Sequence, residues 1–179
     1  MLNEKGRSRK LRKCLIVFGL CLLPLIGEST SESTMPDISQ SQCNRRELKN
    51  AGFSIALPED MKEIPVQGID SVVFSFESPT LKLLIDYGAY SDPLKFYPDG
   101  AVNVQIREDV IDGKTAKLVT YQLAQNGENS GSKFPYFAGA YFADLGRGSR
   151  FKLGLYANAK TPEAQASAME IFDSIRLKA

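Results

Sequence analysis

Carboxylates are the main source of acid–base chemistry in this chain, because it contains no histidine and only 3 cysteines. Six of them lie at the ends of predicted strands or in predicted turns: Asp86, Asp92, Asp99, Glu108, Asp109 and Asp112. Two such groups can act as an acid–base pair, and several can converge on a cation. The calcium-loop spacing D-x-[DN]-x-[DN]-G is absent, so turn chemistry and surface charge are the favoured interpretation.

The composition excludes several classes of catalyst. Ser-His-Asp and Cys-His nucleophiles need an imidazole, and most zinc sites use histidine or several cysteines. The run Gly146 to Gly148 lacks a third glycine and precedes a predicted strand, whereas a dinucleotide-binding turn opens a helix. In Gly127 to Gly131 the serine falls one place too late for G-x-S-x-G. We therefore predict no catalytic, cofactor-binding or metal-binding residues and no cofactor, with an enzyme that uses carboxylates alone as an alternative.

An aromatic segment follows one of the predicted strands. Tyr87, Tyr90, Phe96 and Tyr97 fall within eleven residues that also include Gly88, in a connection longer than most. Exposed aromatic side chains on a loop held by a rigid scaffold are common partner contacts. We predict that Tyr90, Phe96 and Tyr97 bind a protein partner. The competing interpretation is that Tyr87 and Phe96 pack at the edge of the core.

Residues 1–29 have the pattern of an export signal. A basic segment, 1–13, precedes an apolar run from Cys14 to Ile26, and Gly27 and Ser29 supply small residues at a cleavage site after Ser29. The apolar run is short of the ~20 residues that span a bilayer, and Pro24 interrupts it. We predict an exported protein, periplasmic or extracellular, that does not insert in the membrane after cleavage. An uncleaved N-terminal membrane anchor is the alternative.

The region after the signal is predicted to be a linker and one domain. Residues 30–42 are polar and rich in Ser and Thr, which predicts a flexible linker, and 43–179 form the domain. Loss of the signal removes six of 22 basic and two of 21 acidic residues, which leaves a net charge of −3. That charge does not favour nucleic acid, whose binding needs clustered Lys and Arg. Cys43 is the remaining cysteine and is expected to be an exposed thiol outside the core.

Short alternating runs predict an α+β domain with a single antiparallel sheet of about six to seven strands. The runs are 53–57, 72–77, 81–87, 102–107, 116–123, 136–143 and 151–155. Asp112-Gly113 predicts a tight hairpin, because this pair readily adopts positive φ angles. Val102, Val104 and Ile106 alternate with polar residues, which predicts a strand with one face in the core. Residues 45–50 fit either a short helix or a first strand.

One C-terminal helix is predicted to pack across the sheet. Thr161 suits the N-cap and Pro162 the first helical position. The apolar stripe of this helix has a spacing of 3.6 residues and comprises Ala164, Ala168, Ile171, Phe172 and Ile175.

Three short motifs resemble the Mog1/PsbP-like fold family. They are the run Gly52 to Pro58, the turn Ile111 to Ala116 and the segment Ala168 to Ile175. In that family the landmarks are a "gf.i.lP" first strand, an "i.G..a" turn and an "il.Si" helix. The resemblance covers about residues 48 to 178. It implies a sheet packed between helices in an α/β/α sandwich, and proteins that mostly bind other proteins, with no shared catalytic residues.

Together these features predict an exported, non-enzymatic domain that binds a protein partner through a loop face. Two alternatives belong to other functional classes. One is a hydrolase that uses carboxylates alone, and the other is a carrier of a small apolar ligand held between sheet and helix.

Overall fold

The computed structural model describes residues 43–49, 51–125, 131–146 and 150–177. The predicted signal, the linker and the centre of the 125–133 loop lie outside these residues. The elements are β1 (Cys43–Leu48), β2 (Phe53–Pro58), β3 (Lys62–Ile64), β4 (Ser71–Glu77), β5 (Leu81–Gly88), β6 (Ala101–Ile111), β7 (Lys114–Leu123), β8 (Tyr136–Phe142), β9 (Lys152–Ala159), α1 (Pro162–Asp173) and β10 (Arg176–Leu177).

Most of the strands form one antiparallel sheet, which we call the main sheet. Its seven strands follow the order β3-β4-β5-β9-β8-β7-β6. The α+β class and the predicted antiparallel sheet are therefore confirmed. The structure differs in one respect, because β1, β2 and β10 form a second sheet of three strands. The sequence left residues 45–50 as either a short helix or a first strand. In the structure, residues 43–48 form a strand that pairs with β2.

The second sheet and α1 cover the same face of the main sheet. Ala168, Ile171 and Phe172 of α1 are buried in one core cluster with Phe53 and Ile55 of β2. The same cluster contains the inward-facing residues of the three central strands: Leu81, Leu83, Ile85, Ala138, Ala140, Phe142, Leu153, Leu155, Ala157 and Ala159. Burial of each large apolar side chain contributes about 1.5 to 3 kcal/mol to folding.

Polar contacts fix both ends of α1. Thr161 Oγ1 accepts a hydrogen bond from the Ala164 backbone N–H at 3.2 Å, as expected of an N-cap. At the other end Ser174 Oγ accepts from the Ala56 N–H at 2.9 Å. Arg45 Nη1 donates to the Ser174 carbonyl at 2.9 Å. Because these contacts join the helix to β1 and β2, the second sheet and α1 form one layer.

Strand β6 departs from the sequence expectation. Val102, Val104 and Ile106 are all exposed, so the prediction that they share a core-facing side is wrong. A register shift between Val102 and Gln105, with Asn103 at φ +54°, puts Val102 and Ile106 on opposite faces. The bulge and the edge position explain the exposure, because β6 ends the sheet. The Asp112-Gly113 hairpin that follows is confirmed, with φ angles of +48° and +76°.

Candidate functional site

The second face of the main sheet carries the loop between β5 and β6, residues 89–100, which we call the aromatic loop. Leu94 is buried there against Val119 and Tyr141. Four partly buried aromatic residues surround these three: Tyr97, Tyr121, Phe137 and Tyr156. The resemblance implied a helix layer on each side of the sheet, but in the described residues a loop covers this side.

Side-chain hydrogen bonds hold the aromatic loop against the sheet. Ser91 is buried, and its hydroxyl donates to the Asp86 carbonyl at 3.1 Å. Leu94 has a φ of +54°, which L-residues seldom adopt. Hydrogen bonds to its backbone N–H and to its carbonyl stabilise this conformation. Asp92 Oδ1 accepts from the Leu94 N–H at 2.8 Å, and Lys117 Nζ donates to the Leu94 carbonyl at 2.5 Å.

A glycine in β8 makes room for the loop. A Cβ atom at Gly139 would lie 2.8 Å from Leu94 Cδ1 and 2.9 Å from a ring carbon of Phe137. A side chain at this position would therefore displace the ends of the Leu94 and Phe137 side chains that pack there. The absence of a Cβ at 139 is thus part of how this face positions the loop.

The three predicted partner-binding residues occupy different environments. Tyr90 is 84% exposed and Phe96 is 91% exposed. Tyr97 is half-buried instead, with its ring centroid 6.2 Å from that of Tyr121. The core-packing interpretation holds for Tyr87, which contacts Phe53 edge to face at 6.2 Å, and it is wrong for Phe96.

A pocket of about 440 Å³ opens on one side of the aromatic loop. We call it the acidic pocket, and its lining residues are Ser71, Val73, Leu84, Asp86, Tyr90, Asp92 and Tyr156. Asp86 of β5 is opposite Gly154 of β9 in the sheet register. The Tyr156 side chain lies over Gly154, where a Cβ atom would overlap its hydroxyl group. That hydroxyl donates to the Asp92 carbonyl at 3.0 Å.

The pocket has a negative electrostatic character. Burial raises the pKa of Tyr156 far above its usual value, and the charges of Asp86 and Asp92 raise it further. Tyr156 is therefore protonated and acts as a hydrogen-bond donor. Asp86 Oδ1 is buried and has no hydrogen-bond partner among the described residues.

A second pocket, of about 490 Å³, lies on the other side of the aromatic loop. We call it the lysine pocket. Its lining residues are Pro93, Lys95, Glu108, Gly113, Lys114, Thr115, Lys117, Tyr141, Ala143 and Asp144. The loop contributes Pro93 and Lys95 to this pocket and Tyr90 and Asp92 to the other. The aromatic loop thus separates two pockets of unlike charge.

The six candidate carboxylates do not converge. Asp86 and Asp92 share the acidic pocket, and Glu108 lines the lysine pocket. Asp109 Oδ1 accepts from the Val110 N–H at 2.8 Å, and Asp112 Oδ2 accepts from the Leu177 N–H at 2.7 Å. Within the described part of the chain, no three His, Cys, Asp or Glu residues are grouped so that they could hold a metal ion.

Cys43 is exposed at the start of β1, as its position outside the predicted core suggested.

Sequence reasoning named Asp86, Tyr90 and Asp92 of the acidic pocket and Glu108 of the lysine pocket, but it missed other residues that shape this face of the sheet. Lys117, Gly139 and Gly154 lie inside predicted strands and carry no motif. The available signal was a small residue next to a large aromatic side chain on the same strand face, as in Gly154 and Tyr156. Such a pair allows the ring to lie flat over the sheet.

Comparison with known proteins returns a fold similarity. No family model matches the chain, and no curated protein sequence matches it. The structure is similar to the solution structure of cyanobacterial PsbP (CyanoP) from Synechocystis sp. PCC 6803. The two chains are 13% identical with a TM-score of 0.47, and the match covers 82% of this chain and 98% of that one.

Across the described ranges, the structure contains no helix whose length and hydropathy would allow it to cross a membrane.

Proposed function

We propose that this chain is an exported, non-enzymatic protein that binds a protein partner through the face formed by the aromatic loop. The observation that carries the proposal is the placement of Phe96 and Tyr90. Both rings are almost fully exposed, at 91% and 84%, while Ser91 and Leu94 of the same loop are buried. A loop that is fixed at its base and presents apolar rings to solvent has the form of a binding surface.

The fixed base of the loop favours binding energetically. Ordering a flexible loop on association costs free energy, and a loop that is already held avoids much of this cost. Aromatic side chains that become buried at the centre of an interface often contribute 2 kcal/mol or more. The flanking pockets add charged groups of both signs, which can select a partner by electrostatic complementarity.

The two alternative functions have weaker support. A carboxylate hydrolase would use Asp86 and Asp92, but Asp92 already holds the backbone of Leu94. An apolar carrier would need a cavity between sheet and helix. That space is filled by Ile171 and Phe172, and the groove of about 260 Å³ beside α1 includes Arg107 in its lining.

The proposal is tested by capture of a partner and comparison of two substitutions. Tagged protein is recovered from its own host, co-purifying proteins are identified, and affinity is measured with the purified candidate. Phe96→Ala should weaken binding at least about tenfold, which corresponds to 1.4 kcal/mol. Ile64→Ala is the matched control, because Ile64 is also exposed but lies on β3, at the other edge of the main sheet from β6.

The control separates a specific contact from a general loss of apolar surface. Partner affinity should be unchanged in the Ile64→Ala protein. Equal effects of the two substitutions, or full binding by the Phe96→Ala protein, would exclude the aromatic loop as the binding surface.

A further inference from the structure

Strand β6 is a free edge of the main sheet. It ends the strand order, and every residue in 102–110 is exposed. Ile106 is 56% exposed and Val110 is 66% exposed. Beyond the bulge, 105–111 form a regular stretch that contains neither Pro nor Lys, two residues that often protect the edges of natural sheets. An edge with unpaired backbone groups and exposed apolar side chains is a template for another strand.

The hairpin after β6 fixes which of its backbone groups face outward. In a two-residue hairpin the residues that flank the turn exchange hydrogen bonds, and the pairs behind them alternate. Ile111 and Lys114 flank the turn, so Val110 directs its N–H and C=O away from β7. Consistent with this, the Val110 N–H donates to the side-chain atom Asp109 Oδ1 at 2.8 Å. By the same alternation, the residues of the regular stretch whose backbone faces outward are Ile106, Glu108 and Val110.

The side chains of this stretch divide between the two faces of the sheet. Arg107 lines the groove beside α1, so Arg107 and Asp109 lie on the face that carries the helix. Glu108 lines the lysine pocket, so Ile106, Glu108 and Val110 lie on the other face. Two copies of β6 can pair antiparallel about a two-fold axis perpendicular to the sheet. Each face then continues from one copy into the next, so residues of one face lie opposite residues of the same face.

One register of such a pair matches both charge and apolar surface. With Glu108 on the axis, Arg107 lies opposite Asp109 of the second copy, and Ile106 lies opposite Val110. Opposite charges and apolar side chains at facing positions stabilise a sheet. The two nearest registers that keep the faces matched put Arg107 or Asp109 opposite its own copy. Glu108 meets its own copy at a hydrogen-bonded pair, where Cα atoms are about 5.5 Å apart, whereas the opposite charges meet at about 4.5 Å.

We propose that β6 pairs antiparallel with β6 of a second copy of this chain, so that two main sheets join into one. The outward backbone groups of Ile106, Glu108 and Val110 form the new ladder. The Asp109 carboxylate turns from the Val110 N–H to Arg107 of the second copy, which frees that N–H for the ladder. A single pair of strands is a small interface, so the dimer is reversible. This surface lies outside the aromatic loop, and the inference does not depend on the proposed function.

The dimer is tested by sedimentation equilibrium of the purified protein between about 1 μM and about 0.5 mM. The wild type should pass from monomer towards dimer in this range. Arg107→Asp and Asp109→Arg each place like charges opposite each other and should weaken the dimer at least about tenfold. The protein with both substitutions has opposite charges at these positions again, so it should dimerise nearly as well as the wild type.

The matched control is Lys62→Asp, which reverses an exposed charge on β3 at the other edge of the main sheet. Dimerisation of this variant should equal that of the wild type. A wild type that remains monomeric at about 0.5 mM would overturn the proposal. A doubly substituted protein that is as weak as the two single variants would overturn it too, because the opposite charges would then not face each other.

Two further measurements test the register. Glu108→Gln removes the like-charge contact on the axis and should tighten the dimer by about threefold. The amide protons of Ile106 and Glu108 face outward, so their exchange with deuterated water should be slower in the dimer than in dilute monomer. Unchanged exchange of these two amides, or a dimer that Glu108→Gln fails to tighten, would show that another surface joins the copies. Phe96→Ala should not change dimerisation, so the proposed function can stand if this inference fails.

Discussion

At the scale of single residues, Phe96 and Tyr97 are neighbours in sequence but differ in solvent exposure. Phe96 faces solvent, while the Tyr97 ring packs on Tyr121. We expect Tyr97→Ala to lower the free energy of unfolding by about 1 to 3 kcal/mol, somewhat less than truncation of a fully buried aromatic residue. Phe96→Ala should change it by under about 0.5 kcal/mol. Urea unfolding curves measure both values, and equal destabilisation would mean that Phe96 also packs on the sheet.

Tyr156 predicts a specific loss of stability in alkali. Its pKa is raised in the folded protein by burial and by two nearby carboxylates. Above the unfolded pKa of about 10, the unfolded chain loses this proton while the folded protein keeps it, so rising pH favours unfolding. The effect can reach about 1.4 kcal/mol per pH unit. Between pH 9.5 and 11, the melting temperature of the wild type should fall more steeply than that of Tyr156→Phe, and parallel curves would contradict the assignment.

At the scale of elements, α1 is the part of the fold that the sequence predicted best. Its N-cap, its first proline and its buried stripe all follow local rules, and Ile171 and Phe172 are buried as expected. Phe172→Ala should therefore cost about 3 to 5 kcal/mol of unfolding free energy. Glu170→Ala, at an exposed position on the same helix, is the control and should have little effect. A melting temperature unchanged by Phe172→Ala would show that α1 does not stabilise the sheet.

The sequence was less informative about how elements assemble. The Asp112-Gly113 hairpin could be predicted because its φ angles depend on two adjacent residues. The assignment of β2 to a second sheet could not, because it depends on pairing with β1 and β10 at opposite ends of the domain. The exposure of Ile106 could not be predicted from the sequence either. It depends on the bulge that precedes Ile106 and on the position of β6 at the edge of the sheet.

The candidate site could likewise be predicted from the sequence only in part. The exposed aromatics could be anticipated from composition, because Tyr90 and Phe96 belong to a long loop rich in turn residues. The acidic pocket could not, since it combines Ser71, Asp86 and Tyr156 from three strands with two residues of the loop. Only the register that places Asp86 opposite Gly154 brings these groups together.

At the scale of the whole molecule, the two faces of the main sheet are covered by different parts of the chain. One face is covered by α1 and the second sheet and holds the large core cluster. The other carries the smaller cluster under the aromatic loop and both pockets of the candidate site. Substitutions in the first cluster should therefore act on stability, and substitutions at Tyr90 or Phe96 should act on binding. If the proposed function is right, substitutions at these two exposed residues will alter binding without unfolding the protein.

The last prediction concerns residues 1–42. All buried core residues of the described structure lie between Leu48 and Ile175, and we predict from the sequence that 1–29 is a cleaved signal. We expect the protein isolated from its host to begin near Thr30, which intact mass measurement will show. A chain that begins at residue 43 should then melt within about 2 °C of the chain that begins at Thr30, because a polar linker contributes little to the core. A protein that retains residues 14–26 and needs detergent for extraction would instead establish a membrane anchor. A large loss of melting temperature on removal of 30–42 would mean that the domain starts earlier than Cys43.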